Sequence, residues 1–388
     1  MRILTLSYEY PPVGGGGATV CQGLAESLVD LGHQIDVVTS AMDGLPDHEE
    51  QNGVNIYRVP CWRRHQYYST APELLTTILP SYRKALELAR SHAYDLAHCH
   101  FVVPTGVVAY LLQHRIGLPY VLTCHGSDVP GYNPDRFSLL HPVIAPFWRR
   151  IVAGSVATTS PSTFLESLVK KVLDRPVDII PNFFDARPVE RLSTDRRRVL
   201  VVSRLVKRKG VDSLIDAMAE LPSDWELVVA GDGPCLPDLR RQAAARDLRA
   251  RFLGHVARNQ LDELYASAAI FALPSLQENF PMTLLEAMAA GCAVVTTRTE
   301  GCVEVVGDAA ALIKPGSVDD LRAKLWHLME DEGACAALGR QGLERVKQFS
   351  SAAVVEKFQS LFHRCADAHL GKLSIPTARP VVPSHRIG

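Results

Sequence analysis

Short apolar runs alternate with amphipathic stretches along most of the chain. In the first half the runs have strand length, and the stretches between them carry apolar residues at helical spacing. The pattern predicts strands over 3–7, 35–39, 54–59, 95–99 and 120–124, and helices over 19–31, 73–89 and 105–113. Strands that alternate with helices pair in parallel and are covered on both faces, so we expect a doubly wound α/β domain here.

The alternation restarts in the second half of the chain. Strand-like runs recur over 199–203, 226–230, 251–254, 269–273 and 293–297. A charged segment with a proline, 187–198, precedes the restart, and we place the domain boundary there. The predicted fold class is α/β, with two doubly wound, Rossmann-like domains, 1–185 and 186–350, facing a central cleft. Such sheets bind ligands beyond the carboxyl ends of their strands, so the cleft is the expected site.

Three helical patterns close the chain, over 318–329, 334–346 and 352–366. We expect the segment 351–370 to form a C-terminal helix that returns to the first domain. Residues 371–388 carry Pro376, Pro380 and Pro383 and show no periodicity, which is typical of a disordered tail.

Composition narrows the class of protein. A length of 388 residues accommodates two domains, and a net charge of −1 gives no overall field toward nucleic acid. The nine cysteines form no Cys-x-x-Cys pair and are odd in number, which argues against a disulfide framework or a zinc knuckle. The sequence shows neither a signal peptide nor an apolar run of about 18 residues. We therefore expect a cytoplasmic protein, either free or peripheral on the inner face of the membrane.

A carboxylate pair in the segment 274–291 is the first candidate for chemistry. Glu278 falls in the loop after a predicted strand, and Glu286 lies about one turn into a helix that opens near Met282. The free N–H groups at the start of such a helix attract anions, so a diphosphate could bind there with a carboxylate on either side. The carboxylates would then accept hydrogen bonds from sugar and ribose hydroxyls. Two solvated glutamates on a capped surface helix are the alternative interpretation.

Cationic residues are predicted at the same sheet edge. Arg204 and Lys209 follow the first strand of the second domain, and the turn 231–234, Gly-Asp-Gly-Pro, follows the next strand. Cations beside a helix N-terminus would stabilise the charge that develops on a diphosphate leaving group.

In this order and spacing, these motifs resemble the GT4 family of GT-B glycosyltransferases, the glycosyl transferases group 1. The resemblance covers residues 1–366 and rests on Glu-x7-Glu, the Ser-Arg-Leu…Lys-Gly loop, Gly-Asp-Gly-Pro and the tripeptide 180–182, Ile-Pro-Asn. It implies that Arg204 and Lys209 hold the donor diphosphate, that Glu278 lies beside the transferred sugar and that Glu286 binds the ribose. The further donor-binding positions expected from it are Gly15, Gly16, Gly231, Asn279, Phe280, Met282, Thr283 and Leu284.

Metal and cofactor chemistry are not expected. Transferases that hold the diphosphate through a divalent cation often carry Asp-x-Asp, which is absent from this sequence. The cations and the helix end would then replace the metal, and the nucleotide sugar is a co-substrate, so no cofactor is needed. The resemblance also implies retention of anomeric configuration, with a donor phosphate oxygen accepting the acceptor's proton.

The first half supplies the opposite wall of the cleft. The glycine run 14–17 follows the opening strand, and Thr19 stands where a dinucleotide-binding fingerprint would carry its third glycine. A nicotinamide-dependent dehydrogenase is therefore disfavoured. His125 ends a predicted strand, and the resemblance implies that it contacts the donor sugar. Ser127 and Asp128 are weaker candidates for the acceptor side, with Asp128 a candidate base that retaining enzymes do not require.

Two departures from the family pattern bear on the acceptor. Phe183 stands where many members have a glycine, and we expect it to shape the acceptor side; Asn279 stands where members often have glycine beside the sugar. Two basic, aromatic clusters, 62–68 and 147–150, suit either a membrane interface or a surface loop and a core helix end.

The predicted activity is transfer of a hexose or N-acetylhexosamine from a UDP- or GDP-sugar to a hydroxyl acceptor, with lipid-linked acceptors and cell-surface glycan precursors among the candidates. We expect no nucleic-acid partner. A nucleotide-sugar epimerase of the same fold and a non-catalytic nucleotide-sugar-binding subunit remain the alternatives.

Overall fold

The computed structural model describes residues 1–66, 69–132, 141–185 and 197–373, without the side chains of 141–143, 258–259 and 369–373. The described chain forms two β-sheets, one of eight strands and one of six. Helices cover both faces of each sheet, so the predicted α/β class with two doubly wound units is confirmed.

The first sheet has the strand order β3-β4-β2-β1-β5-β6-β7-β8. Its strands pair in parallel except for β3, which runs antiparallel to β4. The chain order reverses beside β1, which pairs with both β2 and β5. The strands are β1 Arg2–Leu6, β2 Gln34–Ser40, β3 His48–Gln51, β4 Val54–Val59, β5 Leu96–His100, β6 Tyr120–Thr123, β7 Ala157–Ser160 and β8 Asp178–Ile179.

Within the described ranges up to residue 185, the helices that accompany this sheet are α1 Gly16–Asp30, α2 Ala71–Thr76, α3 Ile78–Ser91, α4 Thr105–Ile116, α5 His141–Gly154 and α6 Thr163–Val172. The single helix predicted over 73–89 is divided into α2 and α3. The hydroxyls of Thr76 and Thr77 donate to the carbonyls of Glu73 and Leu74, each at 2.7 Å, and Pro80 has no N–H with which to continue the ladder.

The second sheet is wholly parallel, in the order β11-β10-β9-β12-β13-β14. Its strands are β9 Arg198–Val202, β10 Glu226–Ala230, β11 Ala250–Gly254, β12 Ile270–Leu273, β13 Ala293–Thr297 and β14 Ala311–Ile313. Its helices are α7 Val211–Met218, α8 Leu236–Ala245, α9 Arg258–Ala266, α10 Met282–Ala289, α11 Glu300–Val306, α12 Val318–Glu330 and α13 Glu332–Val346. The switch point lies between β9 and β12, so the loops that follow these two strands meet at one edge.

Four observed strands, β3, β7, β8 and β14, were missing from the predicted set. The sequence of β3 is His-Glu-Glu-Gln, which carries no apolar signal, and β8 has only two residues. The strand β7, Ala-Thr-Thr-Ser, is fully buried in spite of its hydroxyl side chains. These strands are defined by pairing with a neighbour and not by their own hydrophobic pattern.

The last helix, α14 Ser351–Leu373, packs against the first sheet and not the second. Phe358 and Phe362 lie 5.6 and 5.0 Å from the ring of His98 on β5. This helix extends three residues into the stretch 371–388 that we predicted as a disordered tail, and 374–388 lie outside the described residues. The segment 186–196, at the predicted domain boundary, is also outside them, and the boundaries stay predictions.

Candidate active site

A cavity of about 490 Å³ lies between the two sheets, at the carboxyl ends of their strands. Loops after β1, β5 and β6 form one wall, and loops after β9 and β12 form the other. The sequence-predicted residues that line it are Gly16, His125, Ser127, Asp128, Arg204, Glu278, Asn279, Phe280 and Met282. The structure therefore brings together motifs more than 100 positions apart in the sequence.

Two glycines allow the loops of the second sheet to touch. Gly210, at φ +67°, ends the loop after β9, and a Cβ there would lie 2.2 Å from the carbonyl oxygen of Pro274. Gly231, at φ +138°, follows β10, and its Cβ would lie 1.9 Å from the carbonyl oxygen of Ser203. No larger residue fits either position without moving backbone. Gly231 therefore supports the Arg204 loop from behind and is not part of the cavity lining.

Lys209 and Glu278 form an ion pair at the contact of these loops. Lys209 Nζ lies 2.5 Å from Glu278 Oε1, and the two side chains are only 16% and 7% exposed. A pair so far withdrawn from water is held more tightly than a surface pair, and each charge depends on its partner. Arg204 and Arg208 line the cavity next to this pair.

The helix α10 begins directly behind Glu278. Met282, its first residue, lines the cavity, whereas Leu284 is fully buried in the core beneath and Thr283 is partly buried. Glu286 is buried as well, and its Oε2 accepts a 2.7 Å hydrogen bond from the hydroxyl of Tyr265. Glu286 is thus held in a fixed position one turn behind the helix start, outside the lining of the cavity.

Asn279 connects the two walls. Its Oδ1 accepts a 2.5 Å hydrogen bond from the hydroxyl of Ser162, at the start of α6, and its Nδ2 donates to the carbonyl of His125 at 3.1 Å. The neighbouring Gln277 donates to the carbonyl of Tyr132 at 2.6 Å. The residues on either side of Glu278 therefore hold the opposite wall directly.

His125 stands at the end of a row of three imidazoles. Its Nε2 lies 2.9 Å from Nδ1 of His100, and the His100 ring lies 4.3 Å from that of His98. Burial lowers the pKa of His125 to about 4 and that of His98 to about 3, and it lowers the pKa of His100 well below the ordinary value. The row is therefore uncharged at neutral pH.

Asp128 organises the loop that carries His125. Its carboxylate accepts hydrogen bonds from the main-chain N–H groups of His125 at 3.0 Å, Gly126 at 2.9 Å and Val102 at 2.9 Å. Burial raises the pKa of Asp128, while these N–H donors oppose the rise. Both oxygens are engaged by the main chain, which favours a supporting role over proton transfer.

The glycine run faces α10 across the cavity. A Cβ at Gly16 would lie 3.8 Å from Met282 Cγ, and the N–H of Gly15 donates to Glu9 Oε2 at 3.3 Å. Glu9 lines the cavity, as do Tyr8, Arg208, Tyr132 and Asn182. Asn182 belongs to the tripeptide 180–182 of the family resemblance, but none of the five was predicted as a site residue. The position of Glu9 and Tyr8 at a strand's carboxyl end was the available signal.

Phe183 lies elsewhere than expected. It is buried in the core under α1, where a Cβ at Gly23 would approach its ring to 2.9 Å. Asn182 lines the cavity in its place. Within the described part of the chain, no group of three or more His, Cys, Asp or Glu side chains is arranged to hold a metal ion.

Two facing and mostly parallel sheets, with a cationic loop and buried carboxylates where their edges meet, define a glycosyltransferase of the GT-B fold. The glycosyl transferases group 1 family matches residues 182–345, and a glycosyl transferase 4-like domain matches residues 15–182. The chain belongs to this GT4 family, so the resemblance inferred from the motifs is confirmed. It is a glycosyltransferase that uses a nucleotide sugar.

Known relatives cover most of the chain. An uncharacterised glycosyltransferase of Methanocaldococcus jannaschii is 33% identical over 334 residues, which are 79% of this chain and 83% of the relative. The N-acetyl-alpha-D-glucosaminyl L-malate synthase of Bacillus anthracis is 27% identical over 381 residues, covering 91% and 95% of the two chains. The solved structure of Anabaena HepE in complex with UDP and glucose matches with a TM-score of 0.77 at 21% identity, over 94% of this chain and 100% of that one. This last likeness shows the fold.

Proposed function

We propose that the protein is a retaining, metal-independent glycosyltransferase that moves a hexose or N-acetylhexosamine from a UDP- or GDP-sugar to a hydroxyl acceptor. The observation that carries this proposal is the buried Lys209–Glu278 pair at the start of α10, beside Arg204 in the cavity wall. The arrangement combines cations, main-chain N–H groups and a carboxylate at one point, which suits a diphosphate joined to a sugar.

At the donor end, Arg204, Lys209 and the N-terminus of α10 would hold the diphosphate. When the bond between the anomeric carbon and the diphosphate breaks, negative charge grows on the leaving phosphate, and fixed cations in a closed cleft stabilise it. Lys209 is held beside the cavity by its ion pair with Glu278, so it would need little reorganisation to meet the diphosphate. The ribose role that the family resemblance implies for Glu286 would require the ribose to reach behind the cavity lining, where Tyr265 holds this carboxylate.

The sugar would lie between Glu278 and His125. An uncharged imidazole can accept or donate a hydrogen bond at a sugar hydroxyl without a counterion, and the lowered pKa of His125 keeps it in that state. The bond between its Nε2 and His100 leaves Nδ1 as the nitrogen that would meet the sugar. Asn279 holds the carbonyl of His125, so the two groups that flank the sugar are mutually positioned.

Retention of configuration follows if the acceptor oxygen attacks the anomeric carbon on the face from which the diphosphate leaves. One carbon–oxygen bond breaks, another forms, and the acceptor's proton passes to a phosphate oxygen of the departing diphosphate. This route needs no protein base. The engagement of both Asp128 oxygens by main-chain N–H groups supports it, because this candidate base is already occupied.

Donor binding is the direct test. We expect one class of UDP-, GDP- or ADP-sugar to raise the melting temperature of the purified protein, because a ligand that binds only the folded state stabilises it. Lys209→Ala should lose this shift. Lys207→Ala is the matched control, because Lys207 lies in the same turn, is 81% exposed and pairs with Asp212 outside the cavity.

Further measurements separate this proposal from an epimerase and from a non-catalytic subunit. Transfer should persist in EDTA, and the anomeric proton coupling of the product should match that of the donor. A protein that binds no nucleotide sugar at all would overturn the proposal. Epimerised donor sugar formed without an acceptor would identify an epimerase instead.

A further inference from the structure

The acceptor side of the cavity is apolar and reaches the surface. Leu74 and Leu75 of α2, Val103 after β5, and Ile144 and Trp148 of α5 line it on the side of the first sheet. Leu75 is also 61% exposed, so it lies at the mouth. An opening bordered by leucine and isoleucine side chains favours an apolar group over a small polar acceptor.

The charged side chains on the first-sheet side of the cavity also favour an uncharged acceptor. Among the described lining residues of the first-sheet side, the carboxylate side chains are Glu9 and Asp128, and the lining cations Arg204 and Arg208 belong to the opposite, donor side. The described lining residues on this side therefore include no lysine or arginine that would bind a small anionic acceptor, such as a dicarboxylate. An uncharged hydroxyl headgroup carried on an apolar chain needs no such cation.

The layer of helices that extends from the mouth along the first sheet is basic and partly apolar. The helices α3, α4 and α5 pack side by side and carry six Lys or Arg residues against a single acidic residue, although the net charge of the whole chain is −1. Lys84 pairs with that acidic residue, Glu87. The exposed arginines that remain are Arg83, Arg149 and Arg150 along these helices, and Arg90 and Arg115 in the last turns of α3 and α4, at the end away from the cavity.

Exposed apolar side chains lie among these arginines. Leu79 at the start of α3 is 54% exposed, and Phe147 of α5 is 40% exposed, one turn beyond Ile144 in the cavity wall. Large apolar side chains mixed with arginine are typical of surfaces that rest on a membrane, because the rings and leucines enter the headgroup region while the cations meet lipid phosphates. We define this surface, from Leu75 and Leu79 to Phe147, Arg149 and Arg150, as the basic face.

The structure shows which residues of the two basic, aromatic clusters, 62–68 and 147–150, are exposed. Trp148 is buried, with its Nε1 donating to the Asp128 carbonyl at 2.8 Å, and the Arg63 side chain is buried beside Glu9. Neither can touch a membrane, and Tyr67 and Tyr68 lie outside the described residues. Trp62 and Arg64 of the first cluster and Phe147, Arg149 and Arg150 of the second remain exposed. No helix in the described ranges is long and apolar enough to cross a bilayer.

We infer that the basic face docks on an anionic lipid bilayer and that the acceptor is a lipid whose hydroxyl-bearing headgroup enters the cavity past Leu75. The lipid chains stay in the bilayer, and the headgroup meets the donor sugar beside His125. This inference rests on the proposed function and assigns its acceptor class. Docking on an anionic bilayer accounts both for the positive charge of the basic face and for its position beside the mouth of the cavity.

Co-sedimentation tests the docking. The protein should pellet with vesicles of phosphatidylcholine containing about 30% phosphatidylglycerol at low salt, and much less with pure phosphatidylcholine or at high salt. Arg149→Glu with Arg150→Glu should weaken vesicle binding by about tenfold or more. The matched control is Arg240→Glu with Arg241→Glu, an adjacent pair of exposed arginines on α8, which should bind as wild type does. Vesicle binding that is absent, or equal in both variants, overturns the docking.

A transfer assay tests the acceptor class. The protein is incubated with the radiolabelled nucleotide sugar that stabilises it and with either a membrane lipid extract or a deproteinised aqueous extract of the source cells. Label that appears in the butanol-soluble product with the lipid extract supports the inference. Label transferred only to water-soluble product overturns it while leaving glycosyl transfer intact. The melting shift with nucleotide sugar, which the Arg149 and Arg150 variant should retain, shows separately whether the proposed function itself fails.

Discussion

The side-chain amide of Asn279 lies 3.1 Å from the carbonyl oxygen of His125, 154 positions away in the sequence. The same side chain accepts a hydrogen bond from Ser162, so both ends of one amide hold the opposite wall of the cleft. Asn279 follows Glu278 directly. The residue that we propose lies beside the transferred sugar on one sheet is thereby fixed against the histidine that we propose contacts that sugar from the other.

Removing this link should slow transfer without unfolding the protein. Asn279→Ala loses two hydrogen bonds between the walls, which together contribute about 2 kcal/mol, so kcat/KM should fall by roughly thirtyfold. Steady-state kinetics would measure the loss. The control is Glu304→Gln, which weakens another contact between the walls, to Thr163, away from the cavity. If both variants lose the same activity, contact between the two walls matters in general, and Asn279 has no particular role.

Substitutions in the Lys209–Glu278 pair should separate its effect on stability from its effect on activity. Lys209→Met leaves the buried Glu278 charge unpaired and should reduce the free energy of unfolding by about 3 kcal/mol. Adding Glu278→Gln should recover most of that stability, because no lone charge remains. Transfer should stay at least about a hundredfold down in each single variant and in the double variant. A double variant with restored kcat would contradict the proposed role of the pair.

His100 should act on the reaction through His125. His125→Ala should abolish or sharply reduce transfer, because the sugar loses its contact from the first sheet. His100→Phe keeps an aromatic ring in the row but removes the 2.9 Å bond that orients His125, and we expect about a tenfold fall in kcat. His100→Asn, which retains a polar side chain, should recover part of that loss. Wild-type kcat in His100→Phe would exclude the positioning role.

The imidazole row should make the protein sensitive to acid. The folded-state pKa values of His98 and His125, about 3 and about 4, lie below the ordinary value near 6.5, as does that of His100. The unfolded chain therefore takes up protons first as pH falls below about 6.5, and stability is lost by up to about 4 kcal/mol per pH unit when all three contribute. Above that pH this contribution is constant.

Urea denaturation at a series of pH values between about 7 and 5 would measure the slope. His98→Asn removes one of the three groups and should flatten the slope by about a third. A slope unchanged by that substitution would show that His98 does not bear the burial cost. A steeper slope above pH 7 would contradict the sign of the effect.

Much of the fold could be predicted from the sequence, because the periodicity of apolar residues indicates which face of a single helix or strand is buried. The runs 54–59, 226–230 and 293–297 are observed as strands with the same limits. Where an element lacks its own apolar pattern, as in β3 and β7, only pairing with a neighbouring strand defines it. Neither of these two strands was predicted. The break between α2 and α3 depended on hydroxyl side chains that cap carbonyls locally, which periodicity does not register.

The sequence by itself determined the class of protein: two repeated α/β patterns, and Arg204, Lys209, Glu278 and His125 each placed at the carboxyl end of a strand. That inference works because parallel strands present their carboxyl ends at one edge. Only the tertiary structure decided which side chains meet. In the folded chain Lys209 pairs with Glu278, and Glu286 lies behind the cavity against Tyr265. Phe183 and Trp148 are buried in the core, whereas Phe147 is exposed beside the apolar mouth of the cavity. Those outcomes depend on how whole sheets and helices pack against each other, and no spacing along the chain encodes that packing.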